Sequence, residues 1–293
     1  MKIDPLGAAS APAAILGTMG VVHDRSALQA AGEDGVGLCT IVNIAGSYSR
    51  RIGAQLAVLP DGRTVGSLAD GCLERQLAAE VALSSKDGLP VMRRFGAGSA
   101  NIDFRLPCGS GVDVLIDPAP DHRACRDAIT ALTGRQAAEL PLPLGQGARR
   151  YIPPARLLAF GEGPELAALL ALAPAAGLVA EAPAGNAALG DVPHDAPVDP
   201  WTAIVLLYHD HEWEMPLLRW ALATPAFLIG AQGGAQTRAN RLQQLADDGI
   251  DETGLARVTS PIGLIARSRE PQVLALSILA QVVGEYEKLH PHG

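Results

Sequence analysis

The second half of the chain alternates short apolar runs with helix-like segments, and this alternation is the strongest constraint on its fold. Residues 155–160, 201–208 and 226–230 are rich in aliphatic and aromatic side chains and have the length of buried strands. Helix-like stretches follow them, the longest over residues 271–287. Strands alternating with helices are typical of a parallel sheet covered on both faces. The sequence therefore predicts a Rossmann-like, doubly wound parallel sheet within residues 155–293.

The first half predicts a second unit, an N-terminal mixed α/β domain within residues 1–133. A Pro-Asp-Gly-Arg turn at residues 60–63 separates two apolar segments and predicts a hairpin. A helix is predicted from Cys72 to about Ser85. The predicted strands are residues 38–44, 54–59, 64–67, 91–95 and 112–117.

A segment dense in proline and glycine separates the two predicted domains. Residues 134–154 contain four prolines and three glycines, residue types that interrupt helices and strands. We therefore expect a linker at residues 134–154.

Charge and hydropathy exclude two classes of partner. The net charge of −8 argues against a general nucleic-acid surface, which needs an excess of basic residues. The most apolar run, residues 166–180, is interrupted by Pro174 and is too short to cross a bilayer. The first residues show no charged-then-apolar leader, and four cysteines without a paired spacing do not predict zinc. We expect a cytoplasmic protein without nucleic-acid or membrane partners.

Two cysteines beside glycines are the first candidates for a site. Cys72 follows Gly71 at a predicted helix start, where unpaired backbone N–H groups favour thiolate over thiol. Cys108 precedes Gly109, Ser110 and Gly111, a segment able to turn sharply and present its amides to an anion. The alternative is that both are small buried hydrophobic residues, as most free cysteines are.

The turn after the first strand of the second half is a candidate nucleotide loop. Gly161 and Gly163 precede a helix, and Glu181 stands twenty residues later, where a carboxylate could accept a ribose hydroxyl. This pattern would suit NAD(P) or another nucleotide. However, the third glycine is missing, and the acidic Glu162 and Glu165 oppose a phosphate. His209 follows another strand and is a further ligand candidate. It lies two residues before His211, but the sequence offers this pair no third metal ligand.

Motifs in both halves together resemble the xanthine dehydrogenase accessory family of the XdhC/CoxI type. The resemblance extends over nearly everything after residue 37. It rests on residues 46–54, 66–74, 108–114, 160–163, 208–211, 260–264 and 270–280.

This resemblance implies a role in maturing molybdenum hydroxylases. Such proteins bind the molybdopterin form of the molybdenum cofactor as cargo and protect it while a cysteine desulfurase helps to install its sulfido ligand. They then deliver it to an apoenzyme of the xanthine dehydrogenase or CO dehydrogenase type. The resemblance thus implies a cofactor chaperone rather than a turnover enzyme, and a homodimer.

The resemblance also assigns roles to residues. Cys72 and Cys108 fall on the family's two characteristic cysteine positions, where soft thiolates could shield molybdenum. Arg50 and Arg51 are candidates for the cofactor's phosphate, against the alternative of a solvated loop. Glu74 is either a helix-start charge or a ligand contact.

The second half departs from the family pattern at residues 161–164 and 181–183. These departures suggest that an ancestral anion site there has been altered. Two alternatives to the chaperone therefore stay open: a nicotinamide-nucleotide oxidoreductase using the C-terminal domain, and a docking adaptor whose cofactor sites are vestigial.

Overall fold

The chain forms two α/β units, each built on a five-stranded sheet. The computed structural model describes residues 21–69, 71–99, 109–183, 192–208 and 211–290. No helix within these ranges is both long and apolar enough to cross a membrane.

The N-terminal sheet is antiparallel throughout and has the order β3-β2-β1-β5-β4. The β2–β3 hairpin turns at residues 60–63 as predicted. Elements in this unit are α1 (Val21–Ala30), β1 (Gly37–Ala45), β2 (Gln55–Val58), β3 (Thr64–Gly66), α2 (Cys72–Ser84), β4 (Val91–Gly96), β5 (Gly111–Asp117) and α3 (His122–Thr133).

Alternating side chains of the central strand give the N-terminal sheet two covered faces. Cys39 and Ile41 of β1 lie in the core beneath α2, whereas Leu38 lies in the core that α1 and α3 cover. Successive side chains of a strand point to opposite faces, so an apolar run with both parities buried requires helices on both sides. Burial raises the pKa of the Cys39 thiol far above its usual range, so this cysteine is a core residue.

Residues 134–154 contain a short antiparallel hairpin, β6 (Ala138–Pro141) and β7 (Ala148–Tyr151). Leu140 and Tyr151 from this hairpin lie in the core shared with α1 and α3. The Tyr151 hydroxyl donates to Gln55 Oε1 at 2.5 Å. Burial of this hydroxyl raises the pKa of Tyr151 above its usual range. The prolines and glycines predicted as linker therefore also shape a hairpin that completes the N-terminal core. The domain limits 1–133, 134–154 and 155–293 stay a prediction.

The C-terminal sheet is parallel and has the order β12-β11-β10-β8-β9. The chain adds β9 on one side of β8 and β10 on the other, so the gap between β8 and β10 is the switch point at which open α/β sheets bind ligands. Elements in this unit are β8 (Arg156–Gly161), α4 (Gly163–Leu172), β9 (Val179–Glu181), β10 (Thr202–Leu207), α5 (His211–Leu222), β11 (Leu228–Ala231), α6 (Ala235–Asp247), α7 (Glu252–Ala256), β12 (Val258–Thr259) and α8 (Pro271–Glu287).

Helices cover both faces of this sheet, which confirms the predicted doubly wound architecture. Ala203 and Val205 of β10 lie in the core with α4 and α8. Ile204 and Leu206 of the same strand lie in the core with α5 and α6. The buried run predicted at 201–208 is therefore a central parallel strand.

The N-terminal unit contacts the amino-terminal edge of the C-terminal sheet. Arg135, after α3, pairs with Asp199, just before β10. The Tyr286 hydroxyl of α8 donates to the carbonyl of Pro153, just before β8, at 2.7 Å. Because parallel strands share one direction, the carboxyl edge of this sheet points away from the N-terminal unit.

Candidate functional site

The motifs singled out in the first half of the sequence lie at one edge of the N-terminal sheet. In the antiparallel register Ala45 at the end of β1 faces Gly111 at the start of β5, and Gly96 at the end of β4 faces the same glycine. Gly66, the end of β3, faces Leu56 near the start of β2. Residues 46–54, residues 67–69 and the described ends of the β4–β5 connection therefore lie at one edge.

Cys72 is the first residue of α2, and its side chain is exposed. Gly71 before it has a φ of 92°, a left-handed conformation that favours glycine and lets the chain turn into the helix. The Arg75 guanidinium donates a hydrogen bond to Cys72 Sγ at 3.2 Å. An accessible sulfur at a helix start, beside a cation, is thus presented to solvent.

Glu74 folds back over the start of its own helix. Its Oε1 accepts from the amides of Leu68 at 2.9 Å and Ala69 at 2.6 Å, and its Oε2 accepts from the amide of Gly71 at 2.7 Å. Burial alone would raise the pKa of Glu74, but these backbone hydrogen bonds outweigh it and hold the pKa below its usual range. Glu74 is therefore a helix-start charge, and it already occupies amides that could otherwise bind a phosphate.

The two adjacent arginines point to different partners. Arg50 donates to the Ser67 carbonyl and to Ser67 Oγ, both at 3.2 Å, so it lies against the segment that leads into α2. Arg51 instead pairs with Glu287 of α8 at 3.0 Å. The structure thus brings Arg50 to the Cys72 edge and directs Arg51 to the interface between the two units.

Gly109 adjoins the same edge, whereas Cys108 lies outside the described residues. Gly109 is exposed and has a φ of 67°. A Cβ on Gly46, the first residue after β1, would lie 3.5 Å from the Cβ of Ser110. The Gly109–Ser110 turn therefore packs beside the connection that carries Arg50.

The glycine turn of the second half lies at the switch point between β8 and β10. A Cβ on Gly161 would lie 2.8 Å from both the Cβ and the carbonyl oxygen of Leu207, so only glycine fits there. Gly163 begins α4 with a φ of 80°. Glu162 caps α4 without a side-chain hydrogen bond, and Glu165 lies in its first turn. The turn has the shape of a phosphate loop but carries acidic side chains.

Glu181 is exposed at the end of β9, where it faces Leu158 of β8, three residues before Gly161. His209 lies outside the described residues. Among the described residues no group of three histidine, cysteine or acidic side chains is arranged to hold a metal ion. The candidate residues therefore lie at two separate places. One is the edge of the N-terminal sheet that carries Cys72, here named the N-terminal edge, and the other is the carboxyl edge of the parallel sheet.

Sequence reasoning missed two polar clusters that support these places. Arg94 pairs with Asp113 at 2.9 Å and donates to the Ala97 carbonyl, which braces both ends of the β4–β5 connection. Arg241 of α6 and Glu214 of α5 form a buried pair behind the carboxyl edge. Asp113, a charged residue inside the apolar strand 112–117, was a usable sequence signal for its pair with Arg94. Glu214 and Arg241 are 27 residues apart, and nothing in that spacing indicated that they pair.

Comparison with known proteins finds matches to both halves of the chain. Residues 28–96 match the XdhC and CoxI family, and residues 157–282 match the XdhC Rossmann domain. The chain is 30% identical over 266 residues to the molybdenum cofactor insertion chaperone PaoD of Escherichia coli (strain K12), an alignment that covers 85% of this chain and 82% of PaoD. The chain belongs to the XdhC and CoxI family.

A solved structure shares this fold over nearly the whole chain. A protein described as a xanthine dehydrogenase from Bacillus halodurans superposes with a TM-score of 0.68 at 17% identity, covering 93% of this chain and 97% of that one. At this identity the likeness concerns the fold alone. The predicted family and the predicted Rossmann-like fold are thus confirmed.

Proposed function

We propose that this protein binds the molybdenum cofactor at the N-terminal edge and passes it to a molybdenum enzyme. The observation that carries the proposal is the exposed thiol of Cys72, held at the start of α2 beside Arg75. It lies within the segment matched by the XdhC and CoxI family, and the related PaoD is a molybdenum cofactor insertion chaperone.

The chemistry of this edge suits such a cargo. The cofactor's molybdenum is a soft centre, and soft sulfur ligands select such metals. The cofactor also carries a phosphate, which guanidinium groups bind through paired hydrogen bonds. Since Glu74 occupies the amides of residues 68, 69 and 71, phosphate recognition falls to the side chains of Arg50 and Arg75.

Several finer features belong to the same proposal. Cys108 supplies a second sulfur, and the client is a hydroxylase of the xanthine dehydrogenase or CO dehydrogenase type. A cysteine desulfurase acts on the cofactor while it is held, and the carrier works in the cytoplasm as a homodimer. The family likeness supports these features.

The observations favour a carrier over a nucleotide enzyme. Glu162 and Glu165 place negative charge where a dinucleotide would set its phosphates, and no basic side chain stands in the turn 161–165. The described residues of the carboxyl edge therefore add no specific support for a nicotinamide reaction.

A transfer assay tests the carrier function. The protein is loaded anaerobically with molybdenum cofactor and mixed with the cofactor-free form of a molybdenum hydroxylase, and recovered activity and bound molybdenum are measured. We expect the chain to raise transfer well above that of free cofactor. Cys72→Ser should lower transfer about tenfold or more, because a sulfur contact to the metal is lost.

The matched control is Leu83→Ser, an exposed position on the same helix and 58% accessible. It should transfer as the parent does. Transfer by the parent that does not exceed free cofactor would contradict the carrier function.

A further inference from the structure

The segment that carries Arg50, here named the Arg50 loop (residues 46–54), is held at its end by a side chain of the β6–β7 hairpin. The Arg149 guanidinium donates from Nε to the Gly53 carbonyl at 2.8 Å. Gly53 has a φ of 84°, and a Cβ there would lie 2.7 Å from that Nε, so a side chain at this position would push the guanidinium away. Arg149 therefore fixes the backbone three residues after Arg50.

Arg149 is itself fixed by a buried ion pair. Its guanidinium pairs with Asp24 of α1 at 3.0 Å, and the two side chains are only 5% and 12% exposed. The guanidinium centre also lies 4.8 Å from the centre of the Tyr151 ring, a distance within cation–π range. Asp24 in turn accepts a hydrogen bond from the amide of Gln55, the first residue of β2, at 3.3 Å. The hairpin, α1 and β2 thus hold one charged group against the end of the Arg50 loop.

The same guanidinium shares its surroundings with Arg51. Arg51 and Arg149 line one small cavity, where their like charges repel. Burial lowers the pKa of Arg149, and the charge of Arg51 lowers it further. Arg51 takes Glu287 as its partner, on the side of the loop that faces α8. Arg50 instead reaches Ser67, on the side that leads into α2. The arrangement around Arg149 therefore separates the directions of the two adjacent arginines.

Arg50 is held in a way that leaves donors for an anion. A guanidinium has five N–H donors. In Arg50, Nε donates to the Ser67 carbonyl, one terminal nitrogen to Ser67 Oγ and the other to the Ser49 carbonyl, all at 3.2 Å. These partners leave one donor on each terminal nitrogen, which is the pair that a phosphate accepts from a guanidinium. A side chain that is ordered before the cargo arrives loses less conformational freedom on binding.

We propose that Arg149 is a positioning residue for the N-terminal edge. It fixes the end of the Arg50 loop, and through the loop it sets the direction in which Arg50 presents its two remaining donors to the cofactor's phosphate. The inference rests on the proposed function, because that function makes the phosphate the ligand of Arg50. The β6–β7 hairpin then belongs to the binding machinery of the N-terminal edge, although Arg149 acts through the loop rather than on the cargo.

The first test follows Arg50 itself and needs no cofactor. In isotope-labelled protein, NMR measures how fast the Nε hydrogen of Arg50 exchanges with solvent, and the loss of its signal in Arg50→Lys assigns it. We expect Arg149→Gln to raise this exchange rate about tenfold or more, because Arg50 Nε loses its fixed acceptor. Arg150→Gln is the matched control. Arg150 is the next residue of the same strand and is exposed, so its substitution should leave the rate within about twofold of the parent.

A second variant guards against misfolding. Arg149→Gln leaves the carboxylate of Asp24 buried without its partner, which destabilises a protein. Arg149→Gln combined with Asp24→Asn removes both charges and keeps an oxygen that can accept from the Gln55 amide. Urea unfolding of this double variant establishes that it is folded, and its Arg50 exchange rate should rise as in the single variant.

A double-mutant cycle with the cofactor separates positioning from a merely structural role. In the parent, Arg149→Gln should weaken anaerobic binding of molybdenum cofactor about tenfold, since a charge-assisted contact is misplaced. In an Arg50→Gln background the same substitution should weaken binding less than about twofold, because the group that it positions is already gone. A merely structural role would weaken binding equally in both backgrounds.

Unchanged exchange of the Arg50 Nε hydrogen in both Arg149 variants would overturn the proposal, and so would equal weakening of binding in the two backgrounds. A parent that binds no cofactor would instead contradict the proposed function. The exchange rates would then still decide whether Arg149 positions Arg50.

Discussion

Arg241→Met is expected to lower the free energy of unfolding by about 3–5 kcal/mol, because it leaves the buried carboxylate of Glu214 without its partner. The Arg241 guanidinium pairs with both oxygens of Glu214, at 2.7 and 2.8 Å, and also donates to Ser260 Oγ and to the Gln232 carbonyl. Both charged side chains are almost wholly inaccessible, at 0% and 1%. Urea unfolding followed by tryptophan fluorescence measures the change.

An exposed ion pair between the same two helices, α5 and α6, provides the control for this prediction. Arg219 of α5 pairs with Asp248 at the end of α6, and both side chains are at least one-third exposed. Arg219→Ala should cost less than about 1 kcal/mol. The double variant Arg241→Met with Glu214→Leu should regain most of the loss, since an apolar pair needs no countercharge. Equal costs for Arg241→Met and Arg219→Ala would refute this account of the pair.

Glu74→Gln is expected to destabilise the protein at pH 7 by about 1–3 kcal/mol, because an amide cannot accept all the buried N–H groups that the carboxylate accepts. The variant should also flatten the acid limb of the stability profile. The pKa of Glu74 is lowered in the folded protein, so its contribution is present above the unfolded-state pKa of about 4.3 and is lost as pH falls through the folded pKa.

Urea midpoints measured between pH 7 and pH 3 check both parts of the Glu74 prediction. The exposed Glu33 gives a matched control, and Glu33→Gln should leave the free energy of unfolding at every pH within about 0.5 kcal/mol of that of the parent. An acid limb in Glu74→Gln as steep as that of the parent would show that another group controls acid unfolding.

The elements of the parallel sheet could be predicted because their signals are local. The apolar run at 201–208 contains a strand whose two faces are both buried. The helix predicted over 271–287 begins at Pro271 and ends at Glu287. Proline in the first helical position and an uninterrupted apolar period fix such a helix without any tertiary contact. The same holds for the hairpin turn at residues 60–63.

The hairpin β6–β7 could not be predicted because its signal is ambiguous. Proline and glycine accumulate both at domain junctions and at hairpin turns, and the Leu142 amide closes this turn on the Gly147 carbonyl. Only the packing of Leu140 and Tyr151 against α1 and α3 distinguishes the two cases. That packing joins segments far apart in sequence.

The candidate site was predicted in its residue types more than in its geometry. Cys72 lies exposed at a helix start, as its neighbours indicated. The opposite directions of Arg50 and Arg51 could not be foreseen, because loop residues have no period and the Glu287 partner of Arg51 is 236 residues away. The sequence also left the role of Glu74 open, because only the structure shows that its carboxylate accepts hydrogen bonds from the preceding amides.

Anaerobic binding of molybdenum cofactor to the purified protein tests the central claim most directly, with one variant at each candidate place. The account predicts that the parent binds, that Cys72→Ser weakens binding about tenfold or more, and that Glu181→Ala binds as the parent does. Unchanged binding by Cys72→Ser together with a loss in Glu181→Ala would place the cargo at the carboxyl edge of the parallel sheet and contradict the account.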